Sequence, residues 1–408
     1  MKAKENEPTQ PDHSTPALQP ESLCVHGGWR PNEVERAAVL PLVRSSTYLL
    51  RDDAYAAMLE GRAEEAWIYS RLRNPTLDAV QEKLAALEGA ERALLYASGM
   101  AAIHAATLAC VKQGGRIVAP RRLYGSTWDL FVNLLGPLGI RTDFVDYNAA
   151  SAVERVLDAG PVDLVWAESL SNPTMDVTDV EQLARAAHAR GAKLVVDATF
   201  VSPLRQRPLA MGADLVVHSA TKYLAGHSDL LGGVVCGAGP LMKECFRKLQ
   251  LAGGCMDPQG AWLLDRGIKT LSVRMERQEA VALELATRME RHPEIERVLH
   301  PRLSSHPQYA LAARMLPHGS GGMWSFVVRG GDARALRMVR RLRVALEASS
   351  LGGVETLVSL PFNTSHARLT ESQRTEAGIA PGLVRMSTGI EAVEDLWHDL
   401  STALRDSA

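Results

Sequence analysis

A mostly parallel α/β sheet followed by a smaller α+β domain is the fold class this sequence predicts, and three observations predict it. Between Asn74 and Thr270, short uninterrupted apolar runs recur, each bounded by polar turns. Helical patterns fill the stretches between them, as expected for parallel strands buried on both faces by crossover helices. After Leu271 the alternation stops, and a long helical stretch over 273–291 leads to strand candidates at 324–328 and 383–387.

Taken in chain order, residues 1–21 are polar and proline-rich and are expected to form a disordered tail, with no apolar run of signal-peptide length. Residues 22–73 lack long periodic segments and carry Gly27, Gly28, Pro31 and Pro41. An extended N-terminal arm that leans on something else is expected there. The large domain is expected over 74–270, with strand candidates at 94–97, 116–119, 164–167, 194–196, 215–217 and 233–236. One intervening helix is legible in detail. Val180, Leu183, Ala184 and Ala187 fall at helical spacing, Thr178 and Glu181 fit a Ser/Thr-x-x-Glu capping box, and Gly191 ends the helix. Residues 271–408 are expected to form the C-terminal domain.

Composition narrows the function. A 408-residue chain with 46% hydrophobic residues can bury more than one core. Its net charge of -2 offers no basic face to nucleic acid or an anionic membrane, and no stretch approaches a membrane span. The five cysteines are scattered with no CxxC pair, which suggests reduced thiols in a cytoplasmic protein rather than a disulfide framework or a zinc site. No Gly-x-Gly-x-x-Gly opens a helix, no Walker A sequence occurs, and His-Glu-x-x-His spacing is missing. Small-molecule chemistry remains.

Open parallel sheets bind ligands beyond the carboxyl ends of their strands. Just past the strand candidates stand Ser98, Gly99 and Met100, then Tyr124, Asn172, Asp197, and finally Ser219, Thr221 and Lys222. Their chemistry is mixed but coherent. Gly99 and Met100 at a helix start offer backbone N–H groups to a phosphate. Tyr124 offers a face on which a flat ring can stack. Asp197 offers a carboxylate to a ring nitrogen that must stay protonated. Lys222, in "HSATKYLAGHSD", offers an amine that can form a Schiff base with a carbonyl on that ring. Pyridoxal 5'-phosphate (PLP) is the ligand that needs all four.

The stretches "YSRLRNPTLDAVQEKLAALEGAE", "ASGMAAI", "LYGST", "ESLSNPTM", "VVDATFVSPLRQRPLAMGADLVVHSATKYLAGHSD", "RGIKTLSVRM", "SSLGGVETL" and "VRMSTGIE" carry a resemblance. The chain resembles the Cys/Met-metabolism family of PLP enzymes, the trans-sulfuration group, with its pattern nearest to the methionine γ-lyases. The resemblance implies the PLP-dependent transferase-like fold type I, with a seven-stranded sheet. It implies Lys222 as the Schiff-base lysine, Asp197 on the pyridine nitrogen and Tyr124 stacked on the ring. It further implies Gly99, Met100, Ser219 and Thr221 on the phosphate, and Asn172 near the ring hydroxyl. Arg385 would clamp the substrate α-carboxylate with Ser350 and Asn172 assisting, and Tyr69 and Arg71 would reach the phosphate of a neighbouring subunit in a homotetramer built from two active dimers.

Within that resemblance, the substrate is expected to be an amino acid undergoing γ-elimination. Relatives that handle cystathionine place acidic residues where this chain has Ile68 and Ser349, so a neutral far end is favoured. The cysteine that follows "YG" in methionine γ-lyases is Ser126 here. O-acylhomoserine sulfhydrylase and cystathionine γ-synthase or γ-lyase are the alternatives, and a catalytically silent scaffold is the non-enzyme one. His227 and His366 are left unassigned, because lone histidines are more often structural or solvated. Ser98 lacks a nucleophile elbow.

Overall fold

The computed structural model describes residues 18–29, 31, 36–364, 367 and 370–407. The larger sheet has seven strands: β1 (Arg92–Tyr96), β2 (Arg116–Pro120), β3 (Arg141–Val145), β4 (Leu164–Glu168), β5 (Lys193–Asp197), β6 (Leu215–Ser219) and β7 (Gly233–Gly237). Their order is β1-β7-β6-β5-β4-β2-β3. From β6 across to β3 every pairing is parallel, whereas β7 runs antiparallel to both β1 and β6. Two reversals restore the direction, so β1 points the same way as β6.

Alternating strand side chains build a core on each face of this sheet. Val165, Val196, Val216 and Val234 meet Val80, Leu84, Leu183 and Ala187 of helices Pro75–Glu88 and Val180–His188. On the opposite face Trp166, Val195, Val217 and Val235 meet Ala102, Ala106, Phe246 and Leu249 of helices Gly99–Cys110 and Gly239–Ala252. Burial on both faces is why the strands read as continuous apolar runs.

The second sheet has five strands: β8 (Ile295–Leu299), β9 (Met323–Val328), β10 (Leu346–Glu347), β11 (Leu357–Ser359) and β12 (Leu383–Ser387), in the order β10-β11-β12-β9-β8. Helices Leu271–Glu290 and Val393–Asp406 pack on it through Val281, Leu285, Leu396 and Leu400 against Trp324, Phe326, Val384 and Met386. The α/β architecture predicted from the sequence, a large mostly parallel sheet and a smaller one, is the one observed.

Three details differ. Strands β3, β8, β10 and β11 have no counterpart among the candidates; β3, an edge strand reading Arg-Thr-Asp-Phe-Val, is mostly half-buried and lacks the apolar run of a central one. The capping box is corrected as well: Asp179 caps helix Val180–His188 by accepting from Gln182 N, while Thr178 Oγ1 donates to Glu168 O at 2.6 Å. Finally, helix Pro20–His26 starts inside the stretch expected to be a tail. Residues 1–17 of that expected tail lie outside the described residues, as does His366.

Residues 36–73 hold a short helix, Asp52–Leu59, and are tied to the body through side chains. Asn74 Nδ2 donates to Val43 O, Thr76 Oγ1 to Pro41 O and Trp262 Nε1 to Leu40 O, each at 2.9 Å. Leu49 and Leu59 nevertheless stand 85% and 89% exposed.

Candidate active site

Because β1, β2, β4, β5 and β6 share a direction, the loops that follow them meet at one edge of the sheet. Lys222 lies just beyond β6, and its Nζ donates to Ser350 Oγ at 2.7 Å. Burial, with the Arg385 guanidinium nearby, pushes the amine down to about 8. Ser350 belongs to the other domain and sits at φ 94°, a left-handed backbone that a serine adopts only when neighbours hold it there. Arg385 is one such neighbour: from the middle of β12 its Nη2 donates to Ser350 O at 2.9 Å, and its Nη1 donates to Asn172 Oδ1 at 3.2 Å. The guanidinium is buried, which lowers it to about 10, and its Nε has no partner among the described residues.

Asp197 ends β5. Burial raises its carboxyl above the usual range, opposed by hydrogen bonds from Thr199 and by His218. Thr199 N donates to Asp197 Oδ1 at 2.9 Å, and Thr199 Oγ1 accepts from Ser219 N at 2.8 Å, so one threonine links the ends of β5 and β6. Ser219 in turn touches the start of helix Gly99–Cys110. A Cβ added to Gly99 would meet Ser219 Cβ at 2.9 Å and Oγ at 3.0 Å, so only glycine permits this approach. Ser98 caps that helix by accepting from Ala101 N at 3.2 Å, and the remaining first-turn N–H groups face outward without intrahelical partners. Thr221 Oγ1 accepts from Gly232 N at 3.0 Å, which fixes the loop after β6. Half-buried Met100 lines a shallow groove with His104 and Ser126.

Tyr124 follows β2 and is 39% exposed, and its N–H donates to Glu168 Oε1 at 2.7 Å. Sequence reasoning missed Glu168, although it ends the apolar run of β4 much as Asp197 ends that of β5, and the same signal would have found it. Thr199 was also missed, since a threonine two residues past a carboxylate carries no distinctive pattern. Tyr69 and Arg71 are not brought into this cluster by their own chain. Arg71 Nη1 donates to Gln250 O at 3.0 Å, and its guanidinium lies 5.7 Å from the Tyr69 ring centroid. His227 Nδ1 is engaged locally with Ala225 O at 2.8 Å. Among the described residues no group of three or more His, Cys, Asp and Glu side chains is arranged to hold a metal ion.

Comparison with known proteins decides the family. The family model described as "Cys/Met metabolism PLP-dependent enzyme" matches residues 21–405. The chain belongs to that family. It is 40% identical to the O-succinylhomoserine sulfhydrylase of Pseudomonas aeruginosa, over 89% of this chain and 90% of that protein. It is 37% identical to the L-methionine gamma-lyase of Pseudomonas putida, over 94% of this chain and 97% of the relative. A cystathionine gamma synthase from Xanthomonas oryzae pv. oryzae, solved in complex with aminoacrylate and cysteine, superposes with a TM-score of 0.90 at 35% identity, covering 96% of this chain and 98% of that one.

PLP is the cofactor of this Cys/Met metabolism family, and the residues at the sheet edge fit it. The Gly99–Ser219 contact leaves outward backbone N–H groups beside hydroxyls, a donor set for a phosphate. Asp197 accepts a neutral N–H, leaving its charge to be met by a cation such as a protonated ring nitrogen. Lys222, an amine lowered toward neutrality, is suited to a carbonyl. Among the described residues no helix is long and apolar enough to cross a membrane.

Proposed function

We propose that this PLP enzyme is a γ-lyase of the methionine γ-lyase type, which converts an amino acid with a neutral thioether end, plus water, into a 2-oxo acid, ammonia and a thiol. One observation carries the choice. Ser349 is exposed beside Ser350, whose hydroxyl and carbonyl bind Lys222 and Arg385, and it is uncharged where cystathionine-handling relatives carry an acid. Without that charge, a distal ammonium has nothing to meet. A second reading, γ-replacement by an O-acylhomoserine sulfhydrylase, is favoured by Ser126, which occupies the place of the lyases' cysteine, and by the likeness to the P. aeruginosa sulfhydrylase.

In this reading Arg385 binds the substrate α-carboxylate, helped by Asn172 and Ser350, because a buried guanidinium with an unpartnered Nε has donors to spare. Lys222 would hold the cofactor through its Nζ, and the free amine would take the Cα proton on Nζ. Bound PLP supplies the sink for the electron pair left behind. Asp197 would face the ring nitrogen and keep it protonated, and Tyr124 would lie against the ring and give its hydroxyl proton to the departing sulfur. Gly99, Met100, Ser219 and Thr221 hold the phosphate. Tyr69 and Arg71 of the partner subunit complete that phosphate site, so we propose an obligate dimer, paired into a tetramer, with the two domains of each protomer divided at 270/271.

Incubating the purified enzyme with methionine, homocysteine, cystathionine and O-acetylhomoserine, each with and without sulfide, tests the reading. 2-Oxobutyrate released from methionine without added thiol is the expected result. Homocysteine formed from O-acetylhomoserine only when sulfide is present, with methionine inert, replaces the lyase by the sulfhydrylase. A colourless protein after PLP addition would leave the silent scaffold.

A further inference from the structure

Glu168 ends β4 in register with Asp197 at the end of β5, and it is 6% exposed. A carboxyl carried into a protein interior is costly unless its oxygens are bonded. Here Oε1 accepts the Tyr124 N–H at 2.7 Å. That segment carries the residue proposed to stack on the cofactor ring. Loss of water and the nearness of Asp197 push Glu168 up to about 8, so at neutral pH it serves as an uncharged acceptor. Tyr124 is 39% exposed, so fixing its backbone is one way to set where its ring stands. The tyrosine stands at the junction where β2's loop turns into the short helix Gly125–Asp129, and Thr127 N and Trp128 N donate to its carbonyl. Its carbonyl is thus held from the helix side, and its N–H from β4.

We infer that Glu168 is a positioning residue for the cofactor: it anchors the backbone of Tyr124 and so fixes the stacking ring over the site. The inference rests on the placement of Tyr124 proposed above.

The test uses the holoenzyme and two readouts besides turnover: the PLP dissociation constant, measured on dilution, and the circular dichroism of the cofactor's visible band. E168A should weaken PLP about tenfold, the loss of one hydrogen bond, and shrink the visible band while the far-ultraviolet spectrum stays intact. E168Q keeps a carbonyl oxygen for the Tyr124 N–H and should hold PLP within about threefold of wild type. If E168A does not fold, E168D, whose carboxyl is one methylene short of the Tyr124 N–H, should show the same losses. Wild-type affinity and band in folded E168A or E168D would overturn the proposal, as would folded E168Q losing as much as they do. Y124A separates the two ideas. A band unchanged in Y124A removes the placement of the tyrosine and the inference together, whereas a band lost in Y124A but intact in E168A removes the inference alone.

Discussion

Lys222 is under two opposing demands. It must be neutral to attack a carbonyl, yet its place beside Ser350 Oγ offers it an acceptor. Burial and the Arg385 charge settle the matter by lowering it to about 8. For a lysine, a depressed value means that the neutral amine dominates above about 8 and is lost below it. The rate at which PLP-free enzyme captures PLP should therefore rise about tenfold per pH unit up to pH 8 and then level off. Stopped-flow growth of the visible band checks this, and a rate still climbing steeply above pH 9 would contradict it. Arg385 makes a complementary prediction. Its two terminal nitrogens reach Asn172 on one domain and Ser350 on the other, a span that a lysine's single nitrogen does not reproduce. R385K should lose about a hundredfold in kcat/KM while keeping the cofactor's spectrum. A spectral loss as large as the kinetic one would mean that the arginine serves the cofactor instead.

At the scale of elements, the site is a consequence of direction. Strands β1, β2, β4, β5 and β6 deliver their loops to one edge because the two reversals at β7 cancel. One close approach is between the start of helix Gly99–Cys110 and the end of β6, where G99A would set a methyl 2.9 Å from Ser219 Cβ. The helix start must then move away from Ser219, and PLP affinity should fall about tenfold with little change in KM for the amino acid. Fluorescence titration of PLP checks it; unaltered affinity would remove Gly99 from the phosphate site. This geometry also explains what the sequence made legible. The central strands were readable because burial on both faces writes them as Leu-Val-Trp-Ala or Leu-Val-Val, and the residues after them were readable because the edge rule needs only order along the chain. β3 was not, since an edge strand keeps polar side chains. The cap of helix Val180–His188 was misplaced by one residue because Thr178 and Asp179 are both competent caps, and Thr178 is claimed by the Glu168 carbonyl. Glu168 was legible by the same end-of-strand signal as Asp197, whereas Thr199, which donates its N–H to Asp197 Oδ1 and accepts from Ser219 N, works through backbone contacts that leave no side-chain pattern to read.

At the scale of the molecule, the arm poses the remaining question. Tyr69 and Arg71 sit on an exposed stretch that presents Leu49 and Leu59 to solvent, and within its own chain Arg71 meets the Tyr69 ring and a carbonyl at the end of helix Gly239–Ala252. Large exposed apolar side chains on such a stretch mark an interaction surface. If Arg71 serves the phosphate site of its neighbour, the two halves of one site belong to different chains, and that arrangement is testable by complementation. R71A dimers lack the arginine in both sites, and K222A dimers lack the amine in both. In a hybrid, the site containing the intact Lys222 receives Arg71 of the partner subunit, while the other site lacks both. Random reassortment of equal amounts makes about half of the dimers hybrid, each with one good site of two, so activity should recover to about a quarter of wild type. If Arg71 instead acts within its own chain, a hybrid contains one site lacking Arg71 and one lacking Lys222, and mixing restores nothing. Co-refolding the two variants, with the hybrid isolated by differential tags, distinguishes a shared site from a private one by the presence or absence of that recovery.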